Sequence, residues 1–350
     1  MEKIKKYVPY MLITLASVLV FFREFGNCDE LWNFSFARNI VNGLLPYKDY
    51  SIVQTPLSAY ITSFFLLVFG DRLLSYRIAG YVLCVTIFCL FYYVCKTKSH
   101  SNLIASIATV FVMGLQMIPY IYNYNYLSAA IVLIIFAVYC KAKNHNTLAF
   151  NLLIGLLIGF TPLIKQNTGL FFWLANFMIC VTEFFFLGKR KINVIVKFVA
   201  SVIPMLIFGL IIFINGTAND FYEFAIDGIR TFSHRITPVD LAADAPISFV
   251  LLLIFASLMV ASVVSMIRHN RFRQEYHFLF LSLASLSVVY PLCDSAHVLC
   301  AFITITPFIV SFIKPRKYKD IEKYICCFVS FVVAAVSIVG VFPAGSDYFY

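Results

Sequence analysis

The chain has 350 residues, of which 61% are hydrophobic and only 13% are charged, and its mean hydropathy is +0.88. This composition leaves too little polar surface to cover a soluble globule of that size, so it predicts a polytopic membrane protein. The formal net charge of +10 comes from short basic clusters between apolar runs. That distribution is typical of orientation in a membrane and argues against nucleic-acid binding.

The apolar runs predict an all-α bundle of about eleven transmembrane helices, since one crossing takes roughly 20 apolar residues. Nearly the whole chain is then committed to the bilayer, and we expect a single transmembrane domain over residues 1–350 without a separate soluble domain. In chain order, the predicted spans are residues 8–22, 73–95, 102–118, 126–140, 148–163, 168–187, 194–214, 246–267, 277–290, 298–313 and 324–342.

The first predicted outer loop, residues 23–72, is the most polar part of the chain. From Cys28 onward its apolar and polar side chains alternate up to Gly43, which predicts a short amphipathic helix at the membrane surface. A second helix is expected over 57–69, after Pro56, and is too short to cross the membrane. Residues 215–245 form the second long outer loop.

The basic residues also predict the orientation, because lysine and arginine are retained on the cytoplasmic side of short loops. Lys3, Lys5 and Lys6 place the N-terminus in the cytoplasm, and the first span resembles a retained segment since it lacks a signal-peptide cleavage site. Lys197 is counted among the cytoplasmic charges. The first loop and the C-terminus are then expected on the extracytoplasmic side of a bacterial plasma membrane.

Most of the ten cysteines fall in apolar runs and are interpreted as small buried hydrophobic residues. Cys28 and Cys293 are both predicted at the outer face, so a disulfide between them stays open. No cysteine or histidine spacing is typical of a zinc site.

Asp29 and Glu30 form a carboxylate pair just after the first apolar segment. A carboxylate held near its substrate can accept the proton of an attacking hydroxyl, and we assign this role to Asp29. Glu30 would then orient an acceptor or help to hold a cation. The alternative is that both carboxylates only favour the positive end of a surface helix.

Two later groups also suggest a polar site at the outer face. Lys165 lies at the tip of a tight hairpin between two spans and must reach headgroups or a polar cavity; with Gln166 it could bind a lipid phosphate. Asp294 and His297 are three residues apart at the start of span ten, on one helix face. They either cap the helix and pair with each other, or face the same cavity as Asp29.

Weaker candidates complete the substrate-binding set, each with contact to the lipid surface as its alternative. The basic side chains that could meet the phosphates of an anionic donor, together with a tyrosine from the turn of the first loop, are Arg77, Arg230, His234, Arg235 and Tyr50.

An ordered set of short motifs spans the first loop and the start of the second span. It consists of Asp29-Glu30, Ala37-Arg38-Asn39 with Gly43, Pro46-Tyr47-Lys48-Asp49-Tyr50, Thr55-Pro56-Leu57 with Tyr60, Phe69-Gly70 and Arg77. This set resembles the N-terminal signature of the polyprenyl-phosphate-dependent membrane glycosyltransferases of the GT-C superfamily. That superfamily includes the protein O-mannosyltransferases and the aminoarabinose transferases of glycosyltransferase family 39 and its relatives.

The resemblance implies inverting transfer of a sugar from a polyprenyl-phosphate donor to a glycan, lipid or protein acceptor on the extracytoplasmic side. It implies that Asp29 is the base and Glu30 its partner. It further implies that Lys165 and Arg77 contact the donor phosphate, and that Asp294 and His297 belong to the cavity. The only cofactor considered is a divalent cation, and no metal ligand is assigned. Asn123 and Asn125 stand where many relatives carry an acidic residue, which weakens a metal role.

Other functions stay open at this point. A transporter or flippase for lipid-linked saccharides would also use Lys165 and Arg77 to meet anionic headgroups, but it should show internal repeats and helices broken at the midplane, and no convincing repeat is present. A polymerase or ligase acting on lipid-linked glycans, and an assembly partner without chemistry, are further alternatives.

Overall fold

The computed structural model describes residues 7–22, 28–116, 123–142, 147–229 and 236–313; for Phe22, Cys28, Asp29 and Gln116 it describes the backbone alone. Within these ranges the chain is helical, with two isolated β-bridges and no strand. The predicted all-α class is therefore confirmed for the part of the chain that the structure describes.

Fourteen α-helices make up the described part of the fold. In chain order they are α1 Val8–Ser17, α2 Cys28–Val41, α3 Leu57–Phe69, α4 Leu73–Ser99, α5 Asn102–Gln116, α6 Tyr124–Lys141, α7 Leu148–Phe160, α8 Gln166–Val181, α9 Lys191–Ile214, α10 Ala218–Phe221, α11 Pro238–Asp244, α12 Pro246–Arg268, α13 Phe272–Ser285 and α14 Ser295–Val310. Short 3₁₀ turns extend α1, α7 and α13, and π-helical turns at Thr182–Phe186 and Tyr222–Asp227 extend α8 and α10.

Helices lie at ten of the eleven predicted spans, and the eleventh, 324–342, lies outside the described residues. Five helices are long and apolar enough to cross a membrane, namely Leu73–Ser99, Tyr124–Lys141, Gln166–Phe186, Lys191–Ile214 and Pro246–Arg268. Several others are apolar but shorter, so the count of eleven spans stays a prediction. Exposed apolar side chains cover α12, as expected for a helix in contact with lipid; the protein is membrane-embedded.

The two helices predicted in the first loop are present as α2 and α3. The turn after α2 and the residue after α3 both use a glycine in the left-handed region, Gly43 at φ +81° and Gly70 at φ +92°. Other residues rarely adopt this conformation, which explains why both helices end where the sequence predicts.

Close helix packing depends on two glycines of α7. A Cβ atom on Gly155 would lie 2.3 Å from the Lys197 carbonyl oxygen, and one on Gly159 would lie 2.6 Å from the Ser201 carbonyl oxygen. The backbones of α7 and α9 therefore approach more closely than larger side chains allow, as is common in membrane bundles. At the centre of the bundle, α14 is almost wholly buried.

Hydrogen bonds gather distant chain segments at one end of the bundle, here called the first-loop end. Gln166 Nε2 donates to the carbonyls of Val53 and Ala225, at 2.7 and 2.8 Å. Asn167 Nδ2 donates to the Tyr290 carbonyl at 3.1 Å. The starts of α8 and α14 and the first loop are thus on the same side, as the predicted threading requires.

The opposite end of the bundle is joined by a different set of charges. Glu275 on α13 pairs with Lys98 at 2.6 Å and with Arg271 at 2.8 Å, and Arg271 also donates to the Ser311 carbonyl at 3.0 Å. These contacts connect the end of α4 with the start of α13 and the end of α14.

A buried ionisable network near this opposite end was not predicted. Glu183 accepts hydrogen bonds from Lys197 Nζ at 2.5 Å, from the Tyr276 hydroxyl at 2.8 Å and from His277 Nε2 at 3.1 Å. Lys197 was counted among the cytoplasmic charges, and its side chain is fully buried in the bundle against Glu183. The charge rule uses only the position of a basic residue in the sequence. It therefore cannot predict that the residue pairs with a buried carboxylate on another helix.

We expect Lys197→Met to destabilise the protein by about 3–5 kcal/mol, because it leaves the Glu183 carboxylate buried without its cation. Adding Glu183→Gln to this variant should recover part of the loss, since the unpaired charge is then removed. Thermal unfolding of the protein purified in detergent measures both effects.

The matched control is Asp71→Asn, which breaks the exposed pair between Arg38 and Asp71 and should cost about 0–1 kcal/mol. Equal losses for the buried and the exposed pair would contradict a supporting role for the Glu183 network.

Candidate functional site

Helix α2 of the first loop buries two polar side chains and leaves two apolar ones exposed. On α2, Glu30, Asn33 and Ala37 are buried, while Leu31 and Trp32 are exposed. The apolar residues of this predicted amphipathic helix are not uniformly outward, since Leu31 is exposed but Phe34 packs against the core. Because the Glu30 carboxylate is buried on the protein side of α2, its charge needs a partner.

Arg77, early in α4, supplies that partner. Its Nη1 atom lies 3.7 Å from Glu30 Oε1, and both side chains are buried. A buried carboxylate and guanidinium compensate each other's charge and hold α2 against α4. Arg77 was predicted to contact a phosphate, whereas in this structure it contacts Glu30.

Asp29 lies in the first turn of α2, but its side chain lies outside the described residues. Its assignment as the base stays a prediction.

Lys165 directly precedes α8 and is nine-tenths buried. Its Nζ atom donates to Asn125 Oδ1 at 2.7 Å and lies 5.2 Å from the centre of the Tyr124 ring. The ammonium therefore meets an amide and an aromatic face inside the bundle, which differs from the alternative of a side chain snorkelling to headgroups. Asn125 is one of the two asparagines that stand where the resemblance led us to expect an acidic residue.

Gln166 and Asn167, next along the chain, connect the hairpin tip to the surrounding loops. Besides the two bonds it donates, Gln166 accepts one from the Thr55 backbone N–H at 3.3 Å. The Thr55 hydroxyl donates to the Pro162 carbonyl at 2.7 Å. A Cβ atom on Gly169 would lie 2.2 Å from the Pro162 nitrogen, so only glycine allows the tip to fold this tightly.

Tyr50 belongs to a small aromatic cluster between the first loop and α10. Its ring stacks on Phe36 at 5.8 Å, and its buried hydroxyl has no hydrogen-bond partner among the described residues. Burial, together with the neighbouring Tyr60, raises the pKa of the Tyr50 phenol. The hydroxyl therefore remains protonated at neutral pH and can donate to a ligand.

Asp294 and His297 cap α14 and pair with each other. The Asp294 side chain accepts from the His297 backbone N–H at 2.9 Å, and its Oδ1 atom lies 2.8 Å from His297 Nδ1. Burial raises the pKa of Asp294, but the hydrogen bonds from His297 outweigh it, and the net result is a pKa below the ordinary value. The capping alternative is what the structure contains, and contact with substrate stays a prediction.

Several predicted features fall on residues that are not described. Arg230, His234 and Arg235 lie outside the described ranges, so their part in binding a donor is not addressed by the structure. Cys293 is buried and forms no disulfide with a cysteine whose side chain the structure describes; the Cys28 side chain is not described, so their pairing stays open. Within the described ranges, no three His, Cys, Asp or Glu side chains cluster as metal ligands.

Sequence reasoning missed Thr55 and Asn125 as partners of the hairpin tip, because both are ordinary polar residues without a distinctive spacing. It also missed Glu183, although an acidic residue inside an apolar run is a sufficient signal for a functional or structural pair.

The sequence itself matches no protein-family model and no curated protein. The function must therefore be inferred from the residues of this chain and their arrangement.

We expect Asp294→Asn to lower the melting temperature at neutral pH, because asparagine retains the N-cap but loses the charge that pairs with His297. A carboxylate with a depressed pKa stabilises the fold above its unfolded pKa of about 3.9 and loses that contribution as the pH falls through its folded value. The difference between parent and variant should therefore be present at pH 7 and vanish in acid. A difference that stays constant down to pH 3 would contradict a role for the charge.

Proposed function

We propose that the chain is a membrane glycosyltransferase that moves a sugar from a polyprenyl-phosphate donor, with inversion, to a glycan, lipid or protein acceptor at the extracytoplasmic face. The observation that carries this proposal is the gathering of the first loop, the hairpin tip and the start of α14 at one end of the bundle. Gln166 makes this junction through Val53, Thr55 and Ala225. The residue types that such a reaction needs are thereby brought to one side of the membrane bundle.

The proposed reaction assigns one step to each of two charged residues. Asp29 accepts the proton of the acceptor hydroxyl while the hydroxyl oxygen forms a bond to the anomeric carbon. The bond from that carbon to the phosphate oxygen breaks, and polyprenyl phosphate leaves with the electron pair. Lys165 then stabilises the charge that develops on the phosphate.

Two further residues have supporting roles in this proposal. The unpaired, protonated hydroxyl of Tyr50 is suited to donate a hydrogen bond to a sugar oxygen. Arg77, by holding Glu30, fixes the helix on which Asp29 lies. We therefore revise Arg77 from a phosphate contact to a residue that positions α2.

Asp29→Asn should abolish sugar transfer, because the amide cannot accept the proton, while expression and membrane insertion stay normal. The measurement is a mass-spectrometric comparison of the surface glycans and lipid-linked sugars of cells that express the parent or the variant. Asp71→Asn, a carboxylate change in the same loop that leaves Glu30 and Arg77 intact, should retain activity. Normal turnover by the Asp29 variant would remove the base assignment.

Lys165→Ala should weaken binding of polyprenyl phosphate much more than binding of the uncharged polyprenol of the same length. The stabilisation of the purified protein by each lipid during thermal unfolding gives the two affinities. Lys48→Ala removes an exposed lysine of the first loop and controls for general attraction between cations and an anionic lipid. Equal losses for both lipids, or for both variants, would contradict the phosphate contact.

A transporter of lipid-linked saccharides is the second candidate, and the Glu183 network inside the bundle favours it, because ionisable groups in spans often mark transport pathways. Proteoliposomes loaded with a fluorescent polyprenyl-phosphate sugar distinguish the two functions. Movement of the intact lipid between leaflets without release of its sugar would favour transport, whereas transfer of the sugar to an acceptor supports the enzyme.

A further inference from the structure

Polar side chains recur along one face of α8 and its π-helical extension, here called the polar stripe, although the buried Phe172 and Ile179 also lie on that face. Thr168, Asn176 and Glu183 lie on this face, and Lys165 precedes it. At 100° per residue, Thr168 and Asn176 on α8 lie about 80° apart. The buried side chains of a helix inside a membrane bundle are usually apolar, so the polar stripe requires a structural explanation.

The polar stripe packs against α13 and the 3₁₀ turn that follows it. Near the opposite end, Glu183 contacts Tyr276 and His277. Near the first-loop end, Thr168 lines a cavity together with Ser285. The contact zone that runs between these two points, from Thr168 to Glu183 on α8 and from His277 to Ser285 on α13, is called the polar seam below.

The cavity at the first-loop end of the seam measures about 10 Å³, which is close to the least space that admits a water molecule. Most of its polar oxygens are still able to accept. The hydroxyls of Ser128, Ser285 and Thr304 each donate to a carbonyl of their own helix, so their lone pairs remain for another donor. The polar residues that line the cavity are Asn125, Ser128, Thr168, Ser285, Cys300 and Thr304.

Asn176 lies on α8, one turn from Phe172, which lines the cavity, and two turns from Glu183. Its side chain is fully buried, and neither Oδ1 nor Nδ2 has a hydrogen-bond partner among the described residues. A primary amide carries two donor hydrogens and an acceptor oxygen. Buried polar groups in folded proteins are almost always paired with protein or with ordered water.

We propose that the polar seam is a binding site for internal water, with Asn176 as its central ligand. Water fits because it both donates to Oδ1 and accepts from Nδ2, and because it donates to the hydroxyl oxygens of the cavity at the first-loop end. An apolar ligand would leave the amide unpaired. A metal ion would need anionic ligands, and the Glu183 carboxylate in the seam is already paired with Lys197.

The bound water has a consequence for Lys165, whose ammonium donates to Asn125. Because Asn125 also lines the cavity, water in the cavity hydrates the hairpin tip from inside the bundle. Contacts on the side that faces the cavity thereby stabilise the charged form of the buried Lys165 ammonium. This inference does not depend on the proposed sugar transfer.

X-ray footprinting of the full-length protein in lipid nanodiscs tests the water site, because a brief X-ray pulse converts bound water into hydroxyl radicals that modify the adjacent side chain. Phe172 is buried, whereas Phe177 on the same helix is exposed. We expect Phe172 to be modified in the parent protein despite its burial. Asn176→Leu should abolish the modification of Phe172 and leave that of Phe177 unchanged.

Two outcomes would overturn the proposal. The first is an unmodified Phe172 in the parent protein, and the second is a modification of Phe172 that persists in Asn176→Leu. Thr168→Val, which removes one cavity hydroxyl and keeps the shape of the side chain, should reduce the same modification and serves if Asn176→Leu does not fold. Unchanged modification of Phe177 in each variant verifies that the helix is intact.

Discussion

The side-chain amide of Gln166 is the contact on which the arrangement of the first-loop end depends. Its nitrogen donates to two backbone carbonyls and its oxygen accepts from a backbone N–H, so one residue joins three separate chain segments. A primary amide can do this because it carries both donors and an acceptor. Loop backbone at the end of an apolar bundle needs such partners, since its polar groups cannot remain buried without them. Lys165, which directly precedes Gln166, is held in place by the same contact.

The charges inside the bundle follow one rule, which is that each is met by a partner from another helix. Glu30 on α2 meets Arg77 on α4, and Glu183 meets Lys197 on α9. Such pairs add little net stability compared with apolar packing, but losing one partner is costly. They therefore specify which helices are neighbours. The same requirement applied to the neutral amide of Asn176 leads to the water site in the polar seam.

Local features of the sequence predicted the helices well and their buried faces less well. Helices lie at ten of the eleven predicted spans because apolar runs, with glycine or basic residues at their ends, are local signals. On α2 the amphipathic pattern predicted the helix, but it gave no reason for a buried Glu30. On α9 the charge rule counted Lys197 among the cytoplasmic charges, but it did not indicate that the side chain is buried against Glu183. In both cases the missing information is a partner that lies far away in the chain.

The amino-acid sequence by itself determined the membrane class and the helix positions, and it suggested the candidate residues Asp29, Lys165 and Gln166. These follow from composition and from patterns within about 20 residues, the length of one membrane crossing. Only the tertiary structure decided which charges pair, where Asn125 and Thr55 meet the hairpin tip, and that Asn176 is buried without a protein partner among the described residues. The reason is that pairing depends on the distance between side chains of different helices, and a linear pattern does not contain that distance.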